Sequence, residues 1–283
     1  MKSNFVSIAL IVVSTVMVVA ASAHTDTTTI TRFTLTNGAE IEGTILSEDS
    51  DQIIVLSTAG VEMKINKNLI AERKTIQAML YKGEYIRSDP NKTRLFFAPT
   101  ARTLRQGKGY FSVYEIFLPF IAYGVTDYIT LSGGMTLLPG IPIEYQLKYF
   151  APKLRIINED KFSLSSGLLW MALKDVSASI VYGVGTYGDY PFSFSAGLGF
   201  GYAEGNFTEK PFAMIGLEYQ LSNNVKLLSE NWVFPEVDGA VISFGIRFFG
   251  ENLAADFGFF TQSEIIGEGS FPFLPWIGFA YNF

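Results

Sequence analysis

From Phe192 to Ala203 the chain alternates without a break. Phe192, Phe194, Ala196, Leu198, Phe200 and Tyr202 fall on one face, and Ser193, Ser195, Gly197, Gly199, Gly201 and Ala203 on the other. Period two is the signature of an extended strand, and the chemistry of the two faces narrows the choice. A soluble sheet keeps its polar face charged and wet, whereas here the second face carries nothing larger than serine or alanine. Such a strand shows its greasy side to lipid and its small side to a crowded interior. The alternation recurs in Val176 to Val184, where Ala178, Ile180 and Tyr182 oppose Ser177, Ser179 and Gly183. Ala213 to Leu221 sets Ile215, Leu217 and Tyr219 against Gly216, Glu218 and Gln220, and Ala240 to Phe248 sets Ile242, Phe244 and Ile246 against Ser243, Gly245 and Arg247.

The start of the chain combines Lys2, an apolar run from Phe5 to Ala20 and the small tripeptide Ala21-Ser22-Ala23. These parts predict a secretory leader over residues 1–23, with a mature chain from His24; a retained anchor is the rival, though the run is short for one. Beyond it no stretch of about 18 residues is uniformly apolar, because Glu115, Lys174-Asp175 and frequent glycines interrupt every candidate. With no cysteine there is neither a disulfide framework nor a thiolate metal site. The formal charge of −6 argues against a nucleic-acid partner. The 25 Phe, 14 Tyr and 26 Gly are a mixture that a sheet between lipid and a packed lumen requires.

Three segments separate by pattern: residues 24–70 are polar and strand-like, 71–93 charged and irregular, and 94–283 aromatic and glycine-rich. The middle segment reads as a linker; Ile76, Met79 and Leu80 allow a short amphipathic helix in it, lodged against or inside a barrel mouth. In 94–283 turn signals at eleven places, from Arg105–Lys108 to Ser263–Gly269, imply twelve strands, with about 16 residues per strand and turn. The expected fold is therefore all-β: a transmembrane, antiparallel, up-and-down barrel of about twelve strands preceded by a small β-domain. An even count returns both ends of the barrel to one side, expected to be the periplasm, which would also hold the first domain.

Within 24–70, Leu35, Asn37-Gly38, Ile41, Gly43, Ile45, the Ile53–Leu56 run, Gly60 and the closing Ile65-Asn66-Lys67-Asn68-Leu69-Ile70 resemble the SH3-like and Sm-like small barrels, including the Hfq type. RNA-binding members use a basic loop near the last strand, which only Lys67 matches here; Asn68 stands where the Hfq type has a histidine. The segment also carries seven acidic residues against three basic ones, the wrong sign for phosphate. For this domain a periplasmic partner, another component of the envelope, is the expectation under the anchor alternative. At the other end Phe271, Phe273, Pro275, Ile277, Phe279, Tyr281 and Phe283 alternate with Trp276, Gly278, Ala280 and Asn282. This resembles the closing strand of bacterial outer-membrane barrels. The resemblance implies residence in outer-membrane lipid and reading of Phe279, Tyr281 and Phe283 by the barrel-assembly machinery.

Chemistry is sparse. The single histidine, His24, lies outside any predicted strand, so a Ser-His pair in the barrel is excluded, and no phosphate loop, HExxH or calcium-loop pattern occurs. No enzyme, cofactor or metal is expected. Parity instead points ionisable residues into the lumen. Glu218, Glu230, Arg247 and Asp256 fall at similar height on successive strands, either as a selectivity constriction or as a network neutralising charges inside a filled barrel. Arg94, Thr100 and Arg102 share parity on the opposite wall, as do Glu144, Gln146 and Lys148, and Lys153 and Arg155 join them if register shifts near Pro152. Tyr128, Trp170, Tyr187, Tyr190, Tyr202 and Trp232 suit interfacial girdles. The function expected is a narrow porin-like channel for small polar solutes; the alternative is a sealed structural barrel anchoring the first domain and its partner.

Overall fold

The computed structural model describes residues 26–81, 84–235, 238–266 and 272–283, so the expected leader and His24 lie outside the described residues. Two compact units divide at Ser88 and Asp89. In the first, β1 (Asp26–Leu35), β2 (Glu40–Glu48), β3 (Gln52–Ser57), β4 (Glu62–Asn66), β5 (Ile70–Tyr81) and β6 (Glu84–Arg87) form one antiparallel sheet in the order β4-β3-β2-β1-β5-β6. Phe33, Ile53, Val55 and Ile65 are its buried centre. A Cβ at Gly43 would lie 2.6 Å from Val55 Cγ1, so only glycine lets β2 bend this close to β3. Within 71–93, expected as a linker with a possible short helix, residues 71–81 and 84–87 are strand instead. The reason is pairing: β5 runs along the whole of β1, and that ladder outweighs a helical period carried by three apolar side chains.

The second unit is a closed antiparallel barrel. Its strands are β7 (Gly109–Tyr114), β8 (Leu118–Gly124), β9 (Ile129–Met135), β10 (Lys148–Phe150), β11 (Lys153–Asn158), β12 (Phe162–Leu173), β13 (Val176–Gly188), β14 (Phe192–Ala203), the two-residue β15 (Asn206–Phe207), β16 (Phe212–Ser222), β17 (Val225–Val233), β18 (Val241–Phe249), β19 (Leu253–Gln262) and β20 (Leu274–Asn282). β10 and β11 both bridge β9 and β12 and make one stave interrupted at Pro152, and β15 only extends the β14 edge. Twelve staves result among the described residues, and β20 pairs with β7 to close the ring. Gly109 and Phe283 exchange both backbone hydrogen bonds at this seam, at 3.0 and 2.9 Å, and mark what we term the near end.

The count of twelve agrees with the sequence pattern through two compensating differences. Residues 94–104, expected as the first strand, are not on the wall. Residues 109–125, expected as one strand of ambiguous parity, are the hairpin β7–β8, turned by Glu115 and Ile116 at φ 48° and 65°. Outward positions are apolar, among them Leu131, Val181, Leu198, Phe200, Phe244, Phe257 and Phe279, which is the exterior a lipid-embedded barrel needs. Of the four alternating segments, three face as expected, but β13 is reversed: Val181 and Tyr187 face outward, while Val184 and Thr186 are buried inside.

Candidate functional site: a charged segment held in the lumen

Residues 89–104 enter the barrel lumen without regular structure and are largely buried there: Asn91, Leu95, Phe96, Ala98, Thr100 and Ala101 have no exposed surface. Leu95 N–H donates to Ala98 C=O at 2.8 Å and Arg94 bridges Pro99, so the segment doubles back at Phe96-Phe97. Irregular backbone at membrane depth survives only where protein satisfies its polar groups, and here the wall does so with side chains. Lys153 Nζ donates to the carbonyls of Thr93, Thr100 and Arg102 at 3.1, 2.9 and 2.6 Å. Thr186 Oγ1 accepts from Ala101 N–H, and Ser165 Oγ donates to Ala101 C=O. One oxygen of Glu230 accepts from the N–H groups of Phe97 and Ala98, both at 2.9 Å, while the other accepts from Trp232 Nε1 at 2.9 Å.

Charge completes the hold. Arg247, fully buried on β18, donates from Nε to Asp256 at 2.6 Å and from Nη1 to Asp89 at 3.0 Å, and its Nη2 reaches Leu95 C=O. Arg94 Nη1 meets the other oxygen of Asp256. Lys226 joins Asp89 at 2.8 Å to Glu218 at 2.9 Å, and Arg102 closes on Glu218 at 3.1 Å. In a medium of low dielectric such charges persist only when paired and hydrogen-bonded, and this chain of alternating sign meets that condition. Glycines make the room: an alanine at Gly216 would collide with Leu95, and a Cβ at Gly258 would lie 2.8 Å from Phe96 Cζ.

Several expected site residues stand elsewhere. Glu218, Glu230, Arg247 and Asp256 point inward and meet one network. Arg94 and Arg102 are in it too, from the inserted segment rather than from an opposite wall. Glu144 is exposed in a 3-10 turn (Ile143–Tyr145), and Lys148, at the start of β10, is exposed beside buried Tyr149. Tyr149 and Lys153 share a face, so no change of parity occurs at Pro152. Arg155 is half-buried, with its guanidinium 5.3 Å from the Tyr128 ring. Trp232 is inside the barrel, stacked on Phe234, not in a girdle. Sequence reasoning missed Asp89, Asn91 and Lys226. Lys226 shares the parity of Glu230 and was legible on that ground; Asp89 lay in the supposed linker.

The reversed facing of β13 has the same cause. Val184 packs with Leu95, Ala98, Ala101 and Met214, and Tyr182 lies against them, so this wall needs an apolar inner surface. Beyond the tip the lumen is aromatic: Phe97, Tyr114, Phe120 and Tyr149 pack together, and Phe96 contacts Phe260 and Trp276.

No protein-family model matches the sequence, and no curated protein sequence matches it. Among solved structures the chain is similar to the KdgM porin in complex with disordered oligogalacturonate, at 9% identity, over 62% of this chain and 98% of that one, with a TM-score of 0.48. It is similar to the NanC porin at 7% identity, over 62% and 97%, with a TM-score of 0.42. A loop-deletion mutant of OmpT, an outer-membrane protein of Vibrio cholerae, aligns at 10% identity over 92% and 99%, with a TM-score of 0.34. With its closed ring of twelve staves, apolar exterior and polar inner wall, the second unit has the architecture of a transmembrane antiparallel β-barrel.

Proposed function

We propose that the barrel is a narrow channel for small solutes whose constriction is the inserted segment 89–104. The observation that carries this reading is the network itself: Arg247, Lys226, Glu218 and Asp256 hold a segment that has no covalent place in the wall, so the bore is set by noncovalent contacts. A constriction of this kind selects by size and by the charges that line it. Glu218, Glu230, Arg247 and Asp256 then act through the segment they seat, with Arg94, Arg102 and Lys153 as its basic side. The near end faces the periplasm in this reading, and the first unit is a periplasmic domain with a partner of its own. Phe279, Tyr281 and Phe283 face outward on the closing strand, where the assembly machinery would read them. No chemical turnover is assigned to the chain.

Single-channel recording on the refolded full-length barrel tests the proposal, with heat-modifiable gel migration as the check of folding. Discrete current steps are expected, growing when Lys226→Met and Glu218→Gln together loosen the segment. A folded barrel that stays silent in both forms would sink the channel reading and favour a sealed anchor.

A further inference from the structure

Beyond the tip of the inserted segment the lumen holds a cavity of about 100 Å³. Its wall is mostly apolar: Leu169, Ile180, Phe212, Met214 and Trp232 line it from the strands, and Phe97 from the tip. Phe97 is 37% exposed although its neighbours Phe96 and Ala98 are fully covered, so its ring borders open space. Two cations stand among the lining residues, Arg94 and Lys153. They differ in what they have left to give. Lys153 directs its ammonium at three carbonyls. Arg94 uses Nη1 alone, on Leu95 C=O, Phe96 C=O and Asp256, while its Nε and Nη2 are buried without a hydrogen-bond partner. The Tyr110 and Tyr114 rings, 5.9 and 5.2 Å from its guanidinium carbon, favour the cation.

Nε and Nη2 form one edge of the guanidinium fork, and that edge matches both oxygens of a carboxylate. An apolar cavity beside an arginine edge that is buried without hydrogen-bond partners suits a molecule that has an apolar body and an anionic head.

We propose that this cavity binds a small monocarboxylate with an apolar body, its carboxylate on the Nε and Nη2 edge of Arg94 and its body against Phe97, Met214 and Trp232. The assignment gives the channel a solute class and rests on the channel reading for passage only; binding is measured without a current. It also reaches the constriction, because Phe97 N–H and Trp232 Nε1 are both bonded to Glu230, so an occupant touching both rings touches both sides of that anchor.

The test titrates benzoate, benzamide and acetate into the full-length barrel in lipid nanodiscs, by calorimetry and by tryptophan emission, with Trp232→Phe identifying the reporting ring. Benzoate is expected to saturate one site. Benzamide, without the charge, and acetate, without the apolar body, should bind at least about tenfold more weakly. Arg94→Lys keeps the charge but loses the fork and should weaken benzoate about tenfold. Ile180→Trp fills the cavity while leaving Arg94 in place, should abolish binding, and decides the matter if the arginine variant does not fold. Equal affinity for benzoate and benzamide, no saturable benzoate binding by a folded barrel, or full binding by Ile180→Trp would overturn the proposal. A barrel that binds benzoate and passes no current would refute the channel while leaving the site standing, and one that conducts without binding would do the reverse.

Discussion

At Arg247 every guanidinium nitrogen bonds to a carboxylate or to the inserted backbone, so replacement by methionine would leave Asp89 and Asp256 short of a counter-charge in a buried setting. Breaking such a pair costs about 3–5 kcal/mol, and urea unfolding of the lipid-embedded barrel should register that loss; a change below about 1 kcal/mol would mean water reaches the site. Ile116 gives the opposite case. It turns the β7–β8 hairpin at φ 65°, a conformation that β-branched side chains disfavour, and its side chain is exposed. Ile116→Asn should therefore stabilise the barrel by about 1 kcal/mol in the same measurement. Parity along single strands was enough to find Arg247 and Asp256, but not Asp89, the second carboxylate on Arg247. It was blind to Glu115 and Ile116, because turn chemistry there is carried by residues that carry no turn signal.

Among the elements, the inserted segment is the one held by side chains alone. Gly245 and Gly258 leave the space that Phe96 occupies, with Phe96 Cζ 2.9 and 2.8 Å from where a Cβ would stand. Gly258→Val should push Phe96 out of its seat and loosen the doubled-back tip. Trypsin cleavage after Arg94 or Arg102 in the otherwise resistant folded barrel should then rise several-fold over wild type, read by mass spectrometry; unchanged cleavage would show that the network holds the segment without Phe96. The sequence of this segment alternates well enough to pass for a strand, and only its contacts inside the lumen show otherwise. Likewise β5 carries apolar residues at helical spacing, and its pairing with β1 lies beyond what a local pattern can show.

For the whole molecule, lipid on one side and a packed lumen on the other make facing the main determinant of cost. Phe257 sits outward near the middle of β19, so Phe257→Lys places a charge against hydrocarbon and should destabilise the barrel by about 2–4 kcal/mol. Leu46→Lys, on an exposed position of the small sheet, should change the same unfolding midpoint by nothing measurable. Equal effects would contradict the assignment of the second unit alone to the membrane. The alternation of Phe192–Ala203, the turn signals and the closing strand made the barrel, its twelve staves and most of its facing legible.

What the sequence determined by itself was most of what has a short period: the barrel strands, most turns and most of the outward apolar face, because a strand's two environments are imposed residue by residue along the chain. Only the tertiary structure decided what fills the lumen. The partners of Arg94, Asp89 and Lys153 lie far away in sequence, and whether Tyr182 and Val184 face lipid or an inserted segment depends on a surface that another part of the chain brings to them. An apolar side chain is satisfied by either neighbour, so alternation reports that one face is greasy without saying what it meets.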